Sequence, residues 1–297
     1  KFHHIKTIFF QSMIDRDTLQ RFIFSDSNVR GEIVHLNQSY QTVIQQADYP
    51  ENIKSLMGEA MCAVILLTAT LKFSGRLSLQ LQGDGIVNLL LVQSSDKQEI
   101  RGNIQWEGDS GTLSFRELVK NATLVITIEP EKGTRYQGIV PLDGNRLNQC
   151  LENYFLQSEQ LPTRIWLTAN AEGAAGMLLQ KLPEMPRKEK QNSWEHISIL
   201  AETTTHPELL TLANETFLYR LFHNEQVRLF DRQPVVFRCT CSKERCEETI
   251  ISLGRQEIDE IIRDQGHMVI TCEFCSTSYY FEIDQLRKLS LEIVQKQ

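Results

Sequence analysis

Residues 53–92 read IKSLMGEAMCAVILLTATLKFSGRLSLQLQGDGIVNLLLV, and the apolar period switches midway. Ile53, Leu56, Met57, Ala60, Val64, Leu67 and Leu71 recur at spacings of three and four, which predicts a helix with an apolar face wide enough to be largely buried. Immediately afterwards Leu77, Leu79 and Leu81 alternate with Ser78, Gln80 and Gln82, the period of a strand with one face on a core. Gly83-Asp84-Gly85 supplies a turn, and Val87 to Val92 resumes as a strand. Gln82-Gly83-Asp84-Gly85 lacks the lysine and following helix of a phosphate-binding loop, so it reads as a hairpin turn.

Outward from this stretch, Thr123 to Ile128, Arg135 to Leu142, Arg164 to Ala169 and Met177 to Leu182 read as further strands, and Arg146 to Gln157 as a helix. Strands joined by short glycine turns, with helices in separate runs, predict an α+β domain with mostly antiparallel pairing from Met13 to Pro186. The residues ahead of Met13 (1–12) read as remnant tag and protease-site sequence, outside the natural fold, and no signal peptide is visible. From Arg187 to Gln233 there is no glycine, and the apolar residues form short clusters: Trp194, Ile197 and Leu200; Leu209, Leu210 and Leu212; Phe217, Leu218, Leu221 and Phe222. Each fits two or three turns of amphipathic helix, with Asn214 as N-cap of the last. Helices this short need packing partners to persist. The segment is therefore either an ordinary helical connector or a metastable linker whose folding depends on its neighbours.

Composition narrows the function. Lys plus Arg is 31 against 38 Asp plus Glu, a net charge of -7, which argues against a nucleic-acid partner held by bulk electrostatics. The longest uncharged apolar stretch, Ala60 to Leu71, is 12 residues, short of the roughly 20 that cross a bilayer, so no membrane partner is expected. Five of the seven cysteines, Cys239, Cys241, Cys246, Cys272 and Cys275, fall within 37 residues. A nearly cysteine-free core with one loaded end reads as a metal site in a reducing, cytoplasmic compartment rather than a secreted disulfide scaffold.

Residues 234–297 form the third zone. Cys239-Thr240-Cys241 and Cys272-Glu273-Phe274-Cys275, 30 residues apart, can supply four thiolates to one tetrahedral zinc per chain. Cys246 and His267 are spare candidates. A module of about 60 residues is marginal on its own, and structural zinc adds an apparent ~10–16 kcal/mol that is folding energy, so metal loss should unfold it. Thiolates are also what oxidants attack. Pairing Cys272 with Cys275 would destroy the site, and pairing Cys239 with Cys241 could follow. A Cys-x-Cys bridge departs from relaxed geometry and should be the more easily reduced. The four sulfurs can thus be a permanent staple or a fuse. Cys62 and Cys150 read as buried small hydrophobes, and His35, His196, His206 and His223 show no ligand or triad spacing. No nucleophile elbow or carboxylate pair asks for an enzyme.

Ordered blocks along the chain carry a resemblance. They are Leu19-Gln20-Arg21-Phe22, Val29-Arg30-Gly31-Glu32, Leu66 to Phe73, Gln80 to Gly85, Arg135 to Val140, Ser158 to Arg164, Ala174 to Gln180, Cys239-Thr240-Cys241-Ser242 and Cys272-Glu273-Phe274-Cys275. Together they resemble the redox-regulated thirty-three-kilodalton heat-shock proteins, bacterial holdase chaperones. The resemblance implies an ATP-independent chaperone that is inactive when reduced and zinc-bound. Hypochlorous acid, or peroxide with unfolding stress, would form two disulfides, expel zinc and unfold the zinc module and linker. The exposed surface would hold aggregation-prone clients, the oxidised form would dimerise, and clients would pass to ATP-driven chaperones. By position, Cys239, Cys241, Cys272 and Cys275 match the family's zinc ligands and its Cys239–Cys241 and Cys272–Cys275 disulfides, whereas Cys150 and Cys246 do not belong to the switch. The run Ala174 to Gly176 looks a glycine shorter than in some relatives and is read as touching a turn. In the linker, Trp194, Leu200, Leu209, Leu218 and Phe222 are the expected client-binding residues, hidden while docked. A static zinc-bearing interaction module and a thiol oxidoreductase using Cys272 and Cys275 are the rival readings.

Overall fold

The computed structural model describes residues 17–183 and 193–295. The expected tag (1–12) and the first residues of the expected linker (187–192) lie outside them. The chain divides into two compact units at Arg238/Cys239. In the first, β1 (Thr18–Phe24) and β2 (Val29–Leu36) precede α1 (Gln38–Ile44) and the long α2 (Glu51–Thr70). A meander of β3 (Gly75–Gln82), β4 (Val87–Ser95) and β5 (Glu99–Trp106) leads through α3 (Phe115–Leu118) to β6 (Thr123–Pro130) and β7 (Tyr136–Val140). Then come α4 (Leu147–Tyr154) with a π-helical turn at Phe155–Glu159, and the hairpin β8 (Thr163–Ala169) and β9 (Ala174–Lys181). Three short helices follow, α5 (Ser193–Ala201), α6 (His206–Thr211) and α7 (Asn214–Phe222). Short strands β10 (Val227–Leu229), β11 (Gln233–Pro234) and β12 (Val236–Phe237) complete the unit.

Two six-stranded sheets result, one ordered β10-β1-β2-β9-β8 with β11 also on β1, the other β12-β5-β4-β3-β6-β7. Among the described residues every ladder is antiparallel except β12 with β5. The mixed α+β architecture is thus the one expected, with one boundary moved. Pro234 to Arg238, read from sequence as the start of the zinc module, belong to the first unit. Their backbone completes its hydrogen bonding there: β11 pairs with β1, β12 pairs with β5, and Val235 is buried between them.

α2 lies between the two sheets, against β2, β8 and β9 on one side and β3, β4 and β5 on the other. Ala60 to Ala69 are buried without a break, because a helix enclosed on both sides has no face left for polar residues. By length and composition α2 could cross a membrane, but 78% of its most apolar window is buried inside the fold. The count of 12 uncharged residues understated it; enclosure by the sheets accounts for its composition. The run Ala174 to Gly176 directly follows the β8–β9 connection at residues 170–173 and is itself the start of β9. A Cβ on Gly176 would stand 3.1 Å from Cys62 Cβ and 3.0 Å from Leu66 Cδ1, so small residues let α2 lie directly on the sheet.

The first sheet is buried on both faces. Leu19, Val34, Leu36, Ile165 and Leu178 face α2, while Phe22, Phe24, Val29, Ile33, Ala175, Met177 and Leu179 face α5, α6 and α7. All five expected client-binding residues sit in this second cluster: Leu209, Leu218 and Phe222 are buried, and Trp194 and Leu200 are partly buried against it. Phe222 meets Phe24 edge to face at 5.0 Å between centroids. A polar seam fixes the register: Asn214 Nδ2 donates to Gln20 Oε1 (2.8 Å) and His35 Nε2 lies 2.8 Å from the Leu209 carbonyl. Asn214 is therefore not the N-cap, which is Ala213; its side chain is committed to β1.

At the C-terminal end of α2, Arg21 and Arg30 donate to the Ala69 and Thr70 carbonyls (3.0 and 3.1 Å), satisfying acceptors the helix leaves open. Glu32, only 2% exposed, lies 3.7 Å from Arg21 Nε, and its Oε2 has no hydrogen-bond partner. Burial pushes its carboxyl up to about 7, against the attraction of Arg30 and Arg21. A folded-state value above the ordinary one means the native state binds the extra proton. Its stabilising contribution is complete below about 4.5 and is lost as pH rises through about 7. Glu59 on α2, likewise pushed to about 7 by burial, adds the same sign. Urea titration should show the first unit losing stability between pH 5 and pH 8. Glu32→Gln should remove its own share, at most about 3 kcal/mol, and a variant with the wild-type slope would contradict this.

Candidate metal centre

The second unit (Cys239–Gln297) is built from α8 (Lys243–Leu253), α9 (Arg255–Asp264), the hairpin β13 (His267–Thr271) and β14 (Ser278–Glu282), and α10 (Ile283–Gln295). Its apolar core is small: Cys246, Ile250, Ile258, Phe281, Leu286 and Leu289. Two local structures present the cysteines. Cys239 and Cys241 flank Thr240 in the irregular segment just before α8, whose N-cap Ser242 accepts the Arg245 N–H. Arg245 Nη1 reaches back to donate to both Thr240 oxygens at 2.8 Å, clasping that segment. Cys272 and Cys275 occupy the β13–β14 turn, where the Cys272 carbonyl accepts the Ser276 N–H (2.8 Å) and Cys272 N–H donates to Thr277 (2.9 Å). Ser276 takes a positive φ of 55° to close that turn.

The four sulfurs converge to within 4.8 Å of one another. The Cys239–Cys272 and Cys241–Cys275 pairs are 3.6 and 3.4 Å apart. Zn–S bonds of about 2.3 Å in a tetrahedron require sulfur–sulfur edges of about 3.8 Å, so the cluster has the size of that shell, and an all-thiol donor set suits zinc. All seven cysteines are free. The electrostatics ask for a cation. Burial and neighbouring thiols push Cys272 up to about 12, the Phe274 N–H notwithstanding. Burial also raises Cys275, but the hydroxyl and N–H of Thr277 and the adjoining thiols outweigh it and hold it at about 7. Sulfurs this close share protons and cannot all ionise unaided; a dication is what lets all four be thiolates.

The structure therefore brings together the four cysteines that the spacing singled out. Neither spare candidate joins them: Cys246 is buried in the small core, and His267 is exposed on β13 with Nδ1 3.0 Å from the Gln265 carbonyl. Cys62 and Cys150 are fully buried in the first unit, and burial raises both thiols. Sequence reading passed over Tyr279, whose hydroxyl donates to Cys241 Sγ at 3.1 Å, and Thr277, whose Oγ1 lies 3.3 Å from Cys275 Sγ. Two hydroxyl residues closely following a cysteine pair are the signal that was available.

A sheet–helix–sheet domain with three short helices on its outer face, together with a separate unit carrying four clustered thiols of metal-site geometry, defines the class of protein. The chain belongs to the Hsp33 protein family, a family of chaperones, whose pattern it matches over residues 17–282. It is similar to the 33 kDa chaperonin of Ectopseudomonas mendocina, 46% identical over 279 residues that cover 92% of this chain and 95% of the relative. The Shewanella sediminis 33 kDa chaperonin is 47% identical, covering 91% of this chain and 94% of its own. Among solved structures, the 33 kDa chaperonin of Thermotoga maritima shares the fold, with a TM-score of 0.81 at 19% identity over 94% of this chain and 99% of its own.

Proposed function

We propose that this chain is a redox-regulated, ATP-independent holdase chaperone of the cytoplasm and not an enzyme. Reduced and holding one zinc on Cys239, Cys241, Cys272 and Cys275, it is inactive. Oxidation to Cys239–Cys241 and Cys272–Cys275 disulfides releases the zinc, unfolds residues 239–297 and frees the linker to bind unfolded clients, with dimerisation and later transfer to ATP-driven chaperones. The observation that carries this reading is the convergence of four oxidisable thiols in a small unit whose described buried apolar core is six residues. When bound, zinc would supply folding energy and hold the four sulfurs as thiolates.

The docked helices supply the second half. α5, α6 and α7 span nine, six and nine residues, lengths that do not persist alone. Their hold on the first sheet is one apolar cluster, the hydrogen bonds of Asn214 to Gln20 and of His35 to the Leu209 carbonyl, and partly exposed ion pairs such as Arg164–Glu202, the last worth little. Only Arg238 separates β12 from Cys239, so loss of the second unit leaves a disordered chain attached at the end of the short strands that follow the linker. Undocking would expose Trp194, Leu200, Leu209, Leu218 and Phe222 together with Phe22, Phe24, Ile33 and Met177.

The test combines disulfide mapping with suppression of aggregation of an unfolded test protein, on reduced and hypochlorite-treated chain. The expected result is holdase activity only after treatment, with Cys239–Cys241 and Cys272–Cys275 peptides. In the reduced site sulfurs also approach across the pairs, so Cys239–Cys272 and Cys241–Cys275 peptides would mean oxidation in a still-folded site and contradict the unfolding switch. A static zinc module would keep its metal under mild oxidant, and a thiol oxidoreductase would turn over a disulfide substrate.

A further inference from the structure

We propose that Tyr279 is a positioning residue that sets how readily the cysteine cluster is oxidised, by occupying a lone pair of Cys241 with its hydroxyl. This rests on the redox reading above and adds to it a residue that restrains the switch.

The geometry is specific. Tyr279 stands on β14 opposite Ile270 of β13 and is partly buried against the small core, while its neighbour Tyr280 points the other way and is 65% exposed. Register alone therefore decides which tyrosine meets the sulfurs. The Tyr279 hydroxyl lies 3.1 Å from Cys241 Sγ, within reach for an O–H donor to sulfur. It ties the β13–β14 hairpin to the Cys239–Cys241 segment, the same segment that Arg245 clasps from α8.

The chemical consequence follows from where the electrons go. Two thiolates and hypochlorous acid, with one proton, give a disulfide, chloride and water. The S–S bond forms, the O–Cl bond breaks, two electrons leave the sulfurs for chlorine, and oxygen departs as water. The first event is attack of a sulfur lone pair on chlorine, and a hydrogen bond to that sulfur withdraws the density the attack needs. Hydrogen bonds to metal-bound sulfur raise the potential of the couple for the same reason. Tyr279 thus makes Cys241 a poorer nucleophile without removing it from the ligand set.

The experiment uses full-length Tyr279→Phe, with Tyr280→Phe as control, in zinc and cobalt forms. In the cobalt form the sulfur-to-metal charge-transfer band should move to longer wavelength in Tyr279→Phe and stay put in the control. Zinc release under a fixed excess of hypochlorite should be at least about threefold faster, while release to a competing chelator without oxidant should not accelerate. An unshifted cobalt band would overturn the proposal, as would equal oxidant-driven rates. Parallel acceleration with oxidant and with chelator would reduce Tyr279 to a structural support and overturn it too. If the wild-type protein itself released no zinc to hypochlorite, the redox reading would fall and take this inference with it, an outcome distinct from equal, finite rates.

Discussion

Cys272→Ser is expected to cost the second unit its metal and its fold together, while the sheet–helix–sheet unit keeps its melting transition. The reason is one of scale. Among the described residues of the second unit only six apolar side chains are buried, with six more packed partly exposed against them, and a chain of about 60 residues buries only about 60% of its unfolded surface. Structural zinc contributes an apparent ~10–16 kcal/mol in comparable small domains, more than such a core has in reserve. Removing one of four ligands also leaves three closely spaced thiols that cannot share the remaining charge. Metal analysis should show near-complete zinc loss, and amide spectra should show collapsed dispersion for residues 239–292 alone. Retained dispersion without metal would mean that the protein core, not zinc, holds this unit.

Phe222→Asp is expected to undock the linker without touching the metal centre. Phe222 is 1% exposed, seated on Phe24 and facing the strand residues that line the outer face of the first sheet. An unpaired carboxylate there costs several kcal/mol, and three short helices held by one seam have little to set against it. Limited proteolysis should cut within residues 193–222, a hydrophobic dye should bind, and holdase activity should appear without oxidant and with zinc in place. Tyr219→Asp, on the 71% exposed side of the same helix, should do none of this. Wild-type protection of the helices in Phe222→Asp would separate linker docking from activation.

What was legible in the sequence follows the physics of each element. α2 and β3 announced themselves because one has a clean helical period and the other a one-sided alternation with Leu77, Leu79 and Leu81 facing the core. β1, β2 and the start of β9 did not. A strand buried on both faces loses its alternation, and Ala174, Ala175 and Gly176 look like loop until α2 is laid across them. Asn214 carries the composition of an N-cap, yet a partner 194 residues away claims its side chain. The cysteine pairs were readable because ligand spacing is local. Tyr279 left only the weak mark of a hydroxyl residue soon after a cysteine pair and Arg245 left none, because their roles depend on register and on how α8 turns back over Thr240. The boundary at Cys239 was misplaced by five residues, since the strand additions of Gln233–Pro234 and Val236–Phe237 are set by distant edges.

The most direct measurement follows zinc and activity in one sample: a chromogenic chelator reports metal while light scattering reports aggregation of an unfolded test protein, with reduced chain and added hypochlorite. About one zinc released per chain, rising in step with suppression of aggregation and reversed by a dithiol reductant with added zinc, is the predicted result. Zinc retained under oxidant, or zinc released with no gain in suppression, would contradict a redox-switched chaperone and leave a static metal-stapled one.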